Sequence, residues 1–326
     1  MITTDRVPET AEHLYPIYIR TAKNPDKFTA GFINIEGKIV IGPVFDDARP
    51  FAEGLAPVKL NGRWGAVDRT GAIVIECTHQ EIGLRFSEDR ITFSPGNRKG
   101  VLARDGSIVV PPKYWSISNF SEGAAYVYDG EQFGFINVHG EEFIPLFFED
   151  VREFREGLAP AKLNGKYGYI NSRASFVIEP RYEDARVFSE GLARVREGRD
   201  WGYINHAGEY VISPRFTDAY DFRESLAPAG VEPNGPLGYI SKSGLFVIQP
   251  SYQYPKYFSE GLAGVLPIEQ RVKHFIDGAG QRVFPDDYLG TNDFQDGLCL
   301  VSTMKTIAYI DHSGRTIWEG LYVAGK

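Results

Sequence analysis

The chain has 326 residues, 43% of them hydrophobic and 24% charged, a composition that belongs to a folded protein and excludes a disordered one. A net charge of −8 argues against a general binder of nucleic acid or of anionic membranes, and no run approaches the ~20 apolar residues of a membrane helix. Aromatics at 13%, with 35 Gly and 20 Pro, point to many short strands joined by turns.

Residues 1–13 form a polar lead-in with Asp5, Glu9 and Glu12. It has neither a basic n-region nor an apolar h-region, so no signal peptide is expected and the expected address is the cytoplasm. Cys77 and Cys299 lie far apart and suggest no disulfide framework. A single array then runs over residues 14–326. Its first unit, near residue 14, is worn, and keeps Gly31-Phe32-Ile33-Asn34, Gly37 and Ile39-Val40-Ile41. Each later unit opens on a Phe, at 51, 86, 120, 154, 188, 222, 258 and 294, in steps of 34 to 36 residues. A fixed period of this length marks a solenoid, a propeller or another array.

Within a unit the apolar period is two. Leu158-Ala159-Pro160-Ala161-Lys162-Leu163 reads as a strand, ended by Asn164-Gly165, the strongest short hairpin signal. Asn61-Gly62 repeats it. A second strand, Lys166-Tyr167-Gly168-Tyr169-Ile170-Asn171, leads to another turn, which carries Gly in eight units and Ala174 in one. The third strand is β-branched or aromatic, as in Ile73-Val74-Ile75 and Phe176-Val177-Ile178, and Pro43, Pro112, Pro180, Pro214 and Pro250 are expected to end it. Each unit is thus a three-stranded meander plus a linking segment of the Tyr182-Glu183-Asp184-Ala185 type, which can form a short fourth strand or a helical turn. Gly recurs inside the second strand, at 31, 65, 100, 134, 168, 202 and 238, and implies a bulge or a close approach, with the flanking aromatics as the packing joint between units. The last two units have His274 and Ala308 there, as suits the end of an array.

These residues resemble the WG (KWG) repeat of many bacterial proteins: Phe-x-Glu-Gly-Leu-Ala, then Trp-Gly-Tyr-Ile-Asn, then Gly, then Val-Ile-x-Pro and an aromatic. Residues 154–221 match best. Trp itself stands at Trp64 and Trp201, with Phe133 and Tyr167 in its place elsewhere. The resemblance implies a repeat scaffold without a shared catalytic set.

Among candidate residues, an acid stands two after every opening Phe: Glu53, Glu88, Glu122, Glu156, Glu190, Glu224, Glu260 and Asp296. Its recurrence points to backbone capping in a turn. His139, His206 and His312 fall in the second turn and read as exposed turn residues, and Asp311-His312-Ser313 are neighbours rather than a triad. No metal-ligand spacing, calcium loop, phosphate loop or nucleophile elbow occurs, so no enzyme, metal or cofactor is expected. Aromatics that the repeat does not explain are more informative: Trp115, Tyr126, Tyr128, Phe147, Tyr220, Tyr254 and Tyr257. The unit at 86 is also eroded, with Asp89-Arg90-Ile91 and Arg98-Lys99-Gly100 off pattern. Residues 85–130 are therefore the expected interaction patch, and Trp115, Tyr126, Tyr128, Arg98, Phe147 and Tyr220 its candidate partner-binding residues.

The expected fold is all-β: nine three-stranded antiparallel units in an elongated, superhelical array, with a closed β-propeller as the alternative if the linking segment pairs. An elongated array is preferred because a unit of this length is short for a four-stranded blade. The expected function is a monomeric, non-catalytic, cytoplasmic scaffold for a protein partner, such as an immunity or antitoxin-like protein that neutralises a basic toxin domain; the alternative is a carbohydrate or cell-envelope binder.

Overall fold

The computed structural model describes residues 13–20 and 28–321, so the polar lead-in lies outside the described residues except for His13. Every regular element among the described residues is a β-strand. The second sheet shows the plan. Its two long inner strands, Leu55–Leu60 and Arg63–Asp68, pair through the two-residue hairpin at Asn61-Gly62, where both residues have positive φ (51° and 75°), as a type I′ turn requires. Arg63–Asp68 then pairs with the outer strand Ile73–His79. The linking segment supplies a fourth strand: Asp47–Ala48 pairs with the following Leu55–Leu60, not with the unit it leaves. Equivalent two-residue strands occur at Glu81–Ile82, Ser116–Ile117, Asp150–Val151, Asp184–Ala185, Asp218–Ala219 and Gly290–Thr291.

This lending of the linker corrects two expectations. The unit is four-stranded, because each repeat completes the sheet of its successor. The array is also a closed β-propeller rather than an elongated superhelix: eight hydrogen-bonded sheets follow one another and the last packs on the first. Tyr15, Ile17 and Ile33 of the first sheet share one buried cluster with Leu298 and Tyr309 of the last. The Tyr309 hydroxyl donates to the Pro16 carbonyl at 3.0 Å, and that of Tyr15 to the Asp296 carbonyl. Among the described residues no strand is exchanged across this seam. Among the described residues, side-chain packing and these two hydroxyl bonds join the last sheet to the first.

The core lies between successive units. Trp64, Ala66 and Ile75 pack on Ile82, Phe86, Phe93 and Leu102 of the next sheet, and Tyr167, Tyr169 and Ile178 on Phe188, Val195 and Ile204. The aromatics beside the repeated Gly are thus the joint between units, as their positions suggest. The Gly has a different reason. At Gly168 an added Cβ would stand 2.4 Å from the Ile178 carbonyl oxygen and 2.7 Å from the Pro180 nitrogen, so the outer-strand backbone, not a ring, lies against it. The outer strand bulges there: Tyr167 pairs with Tyr182 but Tyr169 with Ile178. Pro180 sits inside that bulge, and the strand runs on to Tyr182. The prolines therefore do not end the strand. Pro43, Pro112, Pro180 and Pro214 lie on an outer edge, where no ladder needs their missing N–H, and Pro250 precedes the Tyr252–Gln253 stretch that pairs onward.

Where Ala308 replaces the Gly, the bulge beside it is missing. Ala308 pairs regularly with Glu319 between Ile307↔Gly320 and Tyr309↔Trp318. In the repeat that has His274, the outer strand is reduced to isolated bridges, Lys273↔Tyr288 and Ile276↔Arg282, which keep the register shift of the bulged repeats. That repeat's Ala263–Pro267 joins the preceding sheet through Tyr252↔Pro267 and Gln253↔Leu266, which is why nine repeats give eight hydrogen-bonded sheets, the seventh of them six-stranded.

Candidate functional site

The meander gives the ring two unlike faces. Turns from inner to second strand, and from third to outer strand, share the turn face; the hairpins between second and third strands, and the links to the next sheet, share the hairpin face.

On the turn face, the repeated acid caps backbone, but in the neighbouring repeat. Glu53 accepts the N–H groups of Glu88 and Asp89 at 2.7 and 2.8 Å. Glu122 accepts those of Glu156 and Gly157, and Glu224 those of Glu260 and Gly261, each at 2.6 and 2.9 Å. Glu88, Glu156, Glu190 and Glu260 each bond the turn ahead in the same way. All eight acids have φ between 50° and 56°, a conformation uncommon for a residue with a side chain. Asp296, at the end of the row, meets His13 at 2.8 Å.

The histidines of the second turn, His139, His206 and His312, are exposed, as their positions suggest, and two of them also reach other elements. His206 stacks on Phe188 with ring centres 4.1 Å apart and reaches Glu156 at 3.2 Å; His312 stacks on Phe294 at 4.5 Å and reaches Glu260 at 3.1 Å. They link three elements rather than merely decorating a turn. The Asp311 carboxylate accepts the Ser313 N–H and hydroxyl at 2.9 and 2.6 Å while His312 turns to Glu260, so these three neighbours do not form a relay.

Towards the ring axis, arginines tie each sheet to the next. Arg49 donates to the Ile82 and Gly83 carbonyls (2.6 and 2.7 Å) with its guanidinium 4.0 Å from the centre of the Trp64 ring. Arg152 bonds the Ala185 carbonyl and Asp184 (2.9 and 3.2 Å), and Arg194 bonds Asp221 at 2.8 Å and lies over Trp201. Burial, with Arg152 and Arg194 close by, pushes the Arg186 guanidinium below its ordinary pKa. Tyr220 lies in this layer, under Arg194 and edge-on to Tyr257, while Tyr126 lines a cleft with Arg49, Thr92, Lys99 and Glu153. Tyr220 also lines a cleft with Asn234, Gly235 and Tyr254 on the hairpin face of the seventh sheet, away from Trp115, and Tyr126 stands edge-on to Phe133 with ring centres 6.1 Å apart.

The other four candidates come together on the hairpin face of the third and fourth sheets. Trp115, 45% exposed, carries the Arg98 guanidinium 4.1 Å from its ring centre, and Arg98 is held by the Lys113 and Asp129 carbonyls (3.3 and 3.2 Å). Gly130 lies flush under Trp115; a Cβ there would be 2.6 Å from Nε1. The Tyr128 hydroxyl donates to the Gly130 carbonyl at 2.6 Å and its ring stacks on Phe133 at 4.4 Å. Phe133 pairs with Phe148, and Phe147, 39% exposed, lies 4.0 Å from the Phe148 ring. Sequence reading missed Phe133 and Phe148 as the support of this patch. The available signal was Phe133 standing where the repeat has Trp, beside an outer strand with two adjacent Phe.

Two histidines have pKa values lowered by burial. His274, in the Gly position of the eighth repeat, is pushed down by desolvation and by Arg282, and its Nδ1 has no partner among the described residues; His79 is pushed down by desolvation. A His harder to protonate when folded makes the unfolded chain the stronger proton binder, so stability is complete above the unfolded value of 6.5 and falls as pH drops below it. Thermal midpoints are expected to decline from about pH 6.5 downwards, with a shallower decline in His274→Gln. Parallel curves for the two proteins would contradict this.

The model of the WG containing repeat matches residues 31–64, 64–94, 100–131, 133–167, 167–199, 201–231 and 238–266. No curated protein matches the sequence. Among solved structures, a eukaryotic initiation factor superposes with a TM-score of 0.65 at 11% identity, over 95% of this chain and 96% of that one. Dihydro-heme d1 dehydrogenase NirN (0.49, 11%, 73% of this chain and 64% of that one) and virginiamycin B lyase from Staphylococcus aureus (0.40, 11%, 71% and 91%) are more distant and carry no argument. The first likeness is one of fold alone, and its near-complete coverage of both chains agrees with a closed ring rather than an open array.

Proposed function

Because the chain belongs to the WG-repeat family and its repeats close into a propeller, we propose that it is a non-catalytic binding scaffold that holds a protein partner on its hairpin face. The observation that carries this reading is the run Arg98, Trp115, Tyr128, Phe133, Phe148 and Phe147. Phe148 is buried and supports the others; rigid, partly exposed aromatics with a guanidinium on top are the side chains that dominate protein interfaces. Their supports are fixed by strand pairing and carbonyl bonds, so little conformational freedom is lost on binding. The partner we favour is a cationic protein, for which a net charge of −8 supplies long-range attraction, and a toxic effector neutralised by an immunity protein is the specific case. A sugar-binding array would present its repeated aromatics outward, whereas Trp64, Tyr167, Tyr169, Tyr203 and Tyr239 are buried between sheets.

The test is affinity capture from cells that make the protein, with wild type and Trp115→Ala/Phe147→Ala in parallel. A stoichiometric basic protein is expected on the wild type and lost from the variant, with circular dichroism unchanged. Co-expression should then relieve toxicity of the captured protein. Retention on cell-wall glycan instead of protein would replace this reading with the carbohydrate one.

A further inference from the structure

On the hairpin face of the seventh sheet, away from the aromatic patch, Asp218, Tyr220, Asn234, Leu237, Gln253 and Tyr254 line a cleft of about 150 Å³. Asp218 is the one charged residue of that lining. In sister sheets the acid at its position, opening the short inner strand, is engaged. Asp47 accepts the Tyr18 hydroxyl at 2.5 Å, Asp150 accepts that of Tyr167, and Asp184 meets Arg152 and Arg186 at 3.2 and 3.1 Å. The Asp218 carboxylate has neither a hydrogen bond nor an ion pair among the described residues.

Two departures from the repeat leave it so. Leu237 stands where the fifth sheet has Tyr167 and brings no hydroxyl, and Tyr220 stands where the sixth sheet has Arg186 and brings no guanidinium. Arg194 lies 5.3 Å from the Tyr220 ring centre but is already bonded to Asp221 and to the Ala219 carbonyl. Glu232, in the hairpin beside Gly235, adds a second negative charge just outside the lining. Tyr254 is 80% exposed and sits at φ 49°, a conformation that a bulky side chain seldom takes and that gathers where ligands are held. An unpaired carboxylate, two rings with electron-rich faces and two neutral amides that offer carbonyl acceptors all favour a cation, and no lining residue opposes one.

We infer that this cleft binds an alkylammonium group, with Asp218 as its counter-ion and the Tyr220 and Tyr254 rings as its walls. A lysine side chain on a protein surface and a free alkylamine share this chemistry. The site does not rest on the partner reading of the aromatic patch.

Amide chemical shifts of the full chain, followed by NMR at low ionic strength, test the inference, with lysine capped at both ends in one arm and butylamine in the other. Saturable changes at Asn234, Gly235, Gln253 and Tyr254 are expected in at least one arm, and the stronger arm identifies the source. Capped norleucine, which has the chain without the charge, should produce none. Asp218→Asn keeps the shape and removes the charge, and should weaken binding at least tenfold. Tyr220→Arg restores the guanidinium that the repeat places beside this acid, and should weaken it as much. No saturable change in either arm, an equal response to norleucine, or undiminished binding by Asp218→Asn or Tyr220→Arg would overturn the site. Trp115→Ala should leave the titration unchanged, so this result and that of the capture experiment stand apart.

Discussion

Gly168→Ala is expected to destabilise the protein by about 3 kcal/mol, at the upper end of what overpacking costs, although it adds one methyl group to a strand. The new Cβ would stand 2.4 Å from the Ile178 carbonyl oxygen, and that oxygen belongs to backbone fixed by the bulge on one side and Pro180 on the other. Nothing flexible is available to move aside. Two controls separate this contact from the general cost of replacing glycine. Gly165→Ala, in the hairpin with φ 78° and no neighbour near its Cβ, should cost only about 1–2 kcal/mol, the price of a left-handed residue. Ala308→Gly, where the third strand pairs regularly with its neighbour, should cost about 1 kcal/mol through chain entropy. Chemical denaturation of the three variants checks the order. If Gly168→Ala cost no more than Gly165→Ala, the bulge would not be what excludes a side chain.

The same residues show what could and could not be read in advance. Period-two strands, the Asn-Gly hairpins and the joint aromatics were legible because each is a local rule written into neighbouring positions. Closure was not, because it depends on which sheet receives Asp47–Ala48, and a two-residue strand has no pattern of its own. Once that segment pairs forward, a repeat too short for a four-stranded blade becomes long enough. The acid ladder was half legible: recurrence identified a cap, but the capped N–H groups lie one repeat ahead, a distance that periodicity alone cannot measure. For the candidate patch, Trp115, Tyr128, Arg98 and Phe147 were visible as departures from the repeat and do assemble. Tyr126 and Tyr220 departed equally, but Tyr126 packs edge-on behind Phe133 beside a different cleft and Tyr220 lies under Arg194 on the seventh sheet, because a departure from the repeat does not say which neighbour it meets.

The ladder itself carries the last expectation. Glu224 holds two N–H groups of the next turn through both carboxylate oxygens, while its own backbone sits at φ 50°. Charge-assisted bonds of this kind contribute about 1.5–3 kcal/mol each when shielded, and less where water can replace them, as it can here. Glu224→Ala is expected to cost about 2 kcal/mol from the lost bonds, since glutamate and alanine carry the same left-handed penalty. Glu224→Gly loses the same bonds but relieves about 1 kcal/mol of that penalty, and should cost about 1 kcal/mol. Denaturation midpoints that place the glycine variant above the alanine variant, and both below wild type, would show strain and capping acting together. Equal losses would mean that the turn is not strained. No loss in either would mean that the acids are decoration and that ring packing alone holds neighbouring repeats in register. The first outcome follows from the geometry, since Glu224 lies in a turn whose own Ser225 N–H is capped by Glu190 of the repeat before it, so that loosening one rung loosens the next.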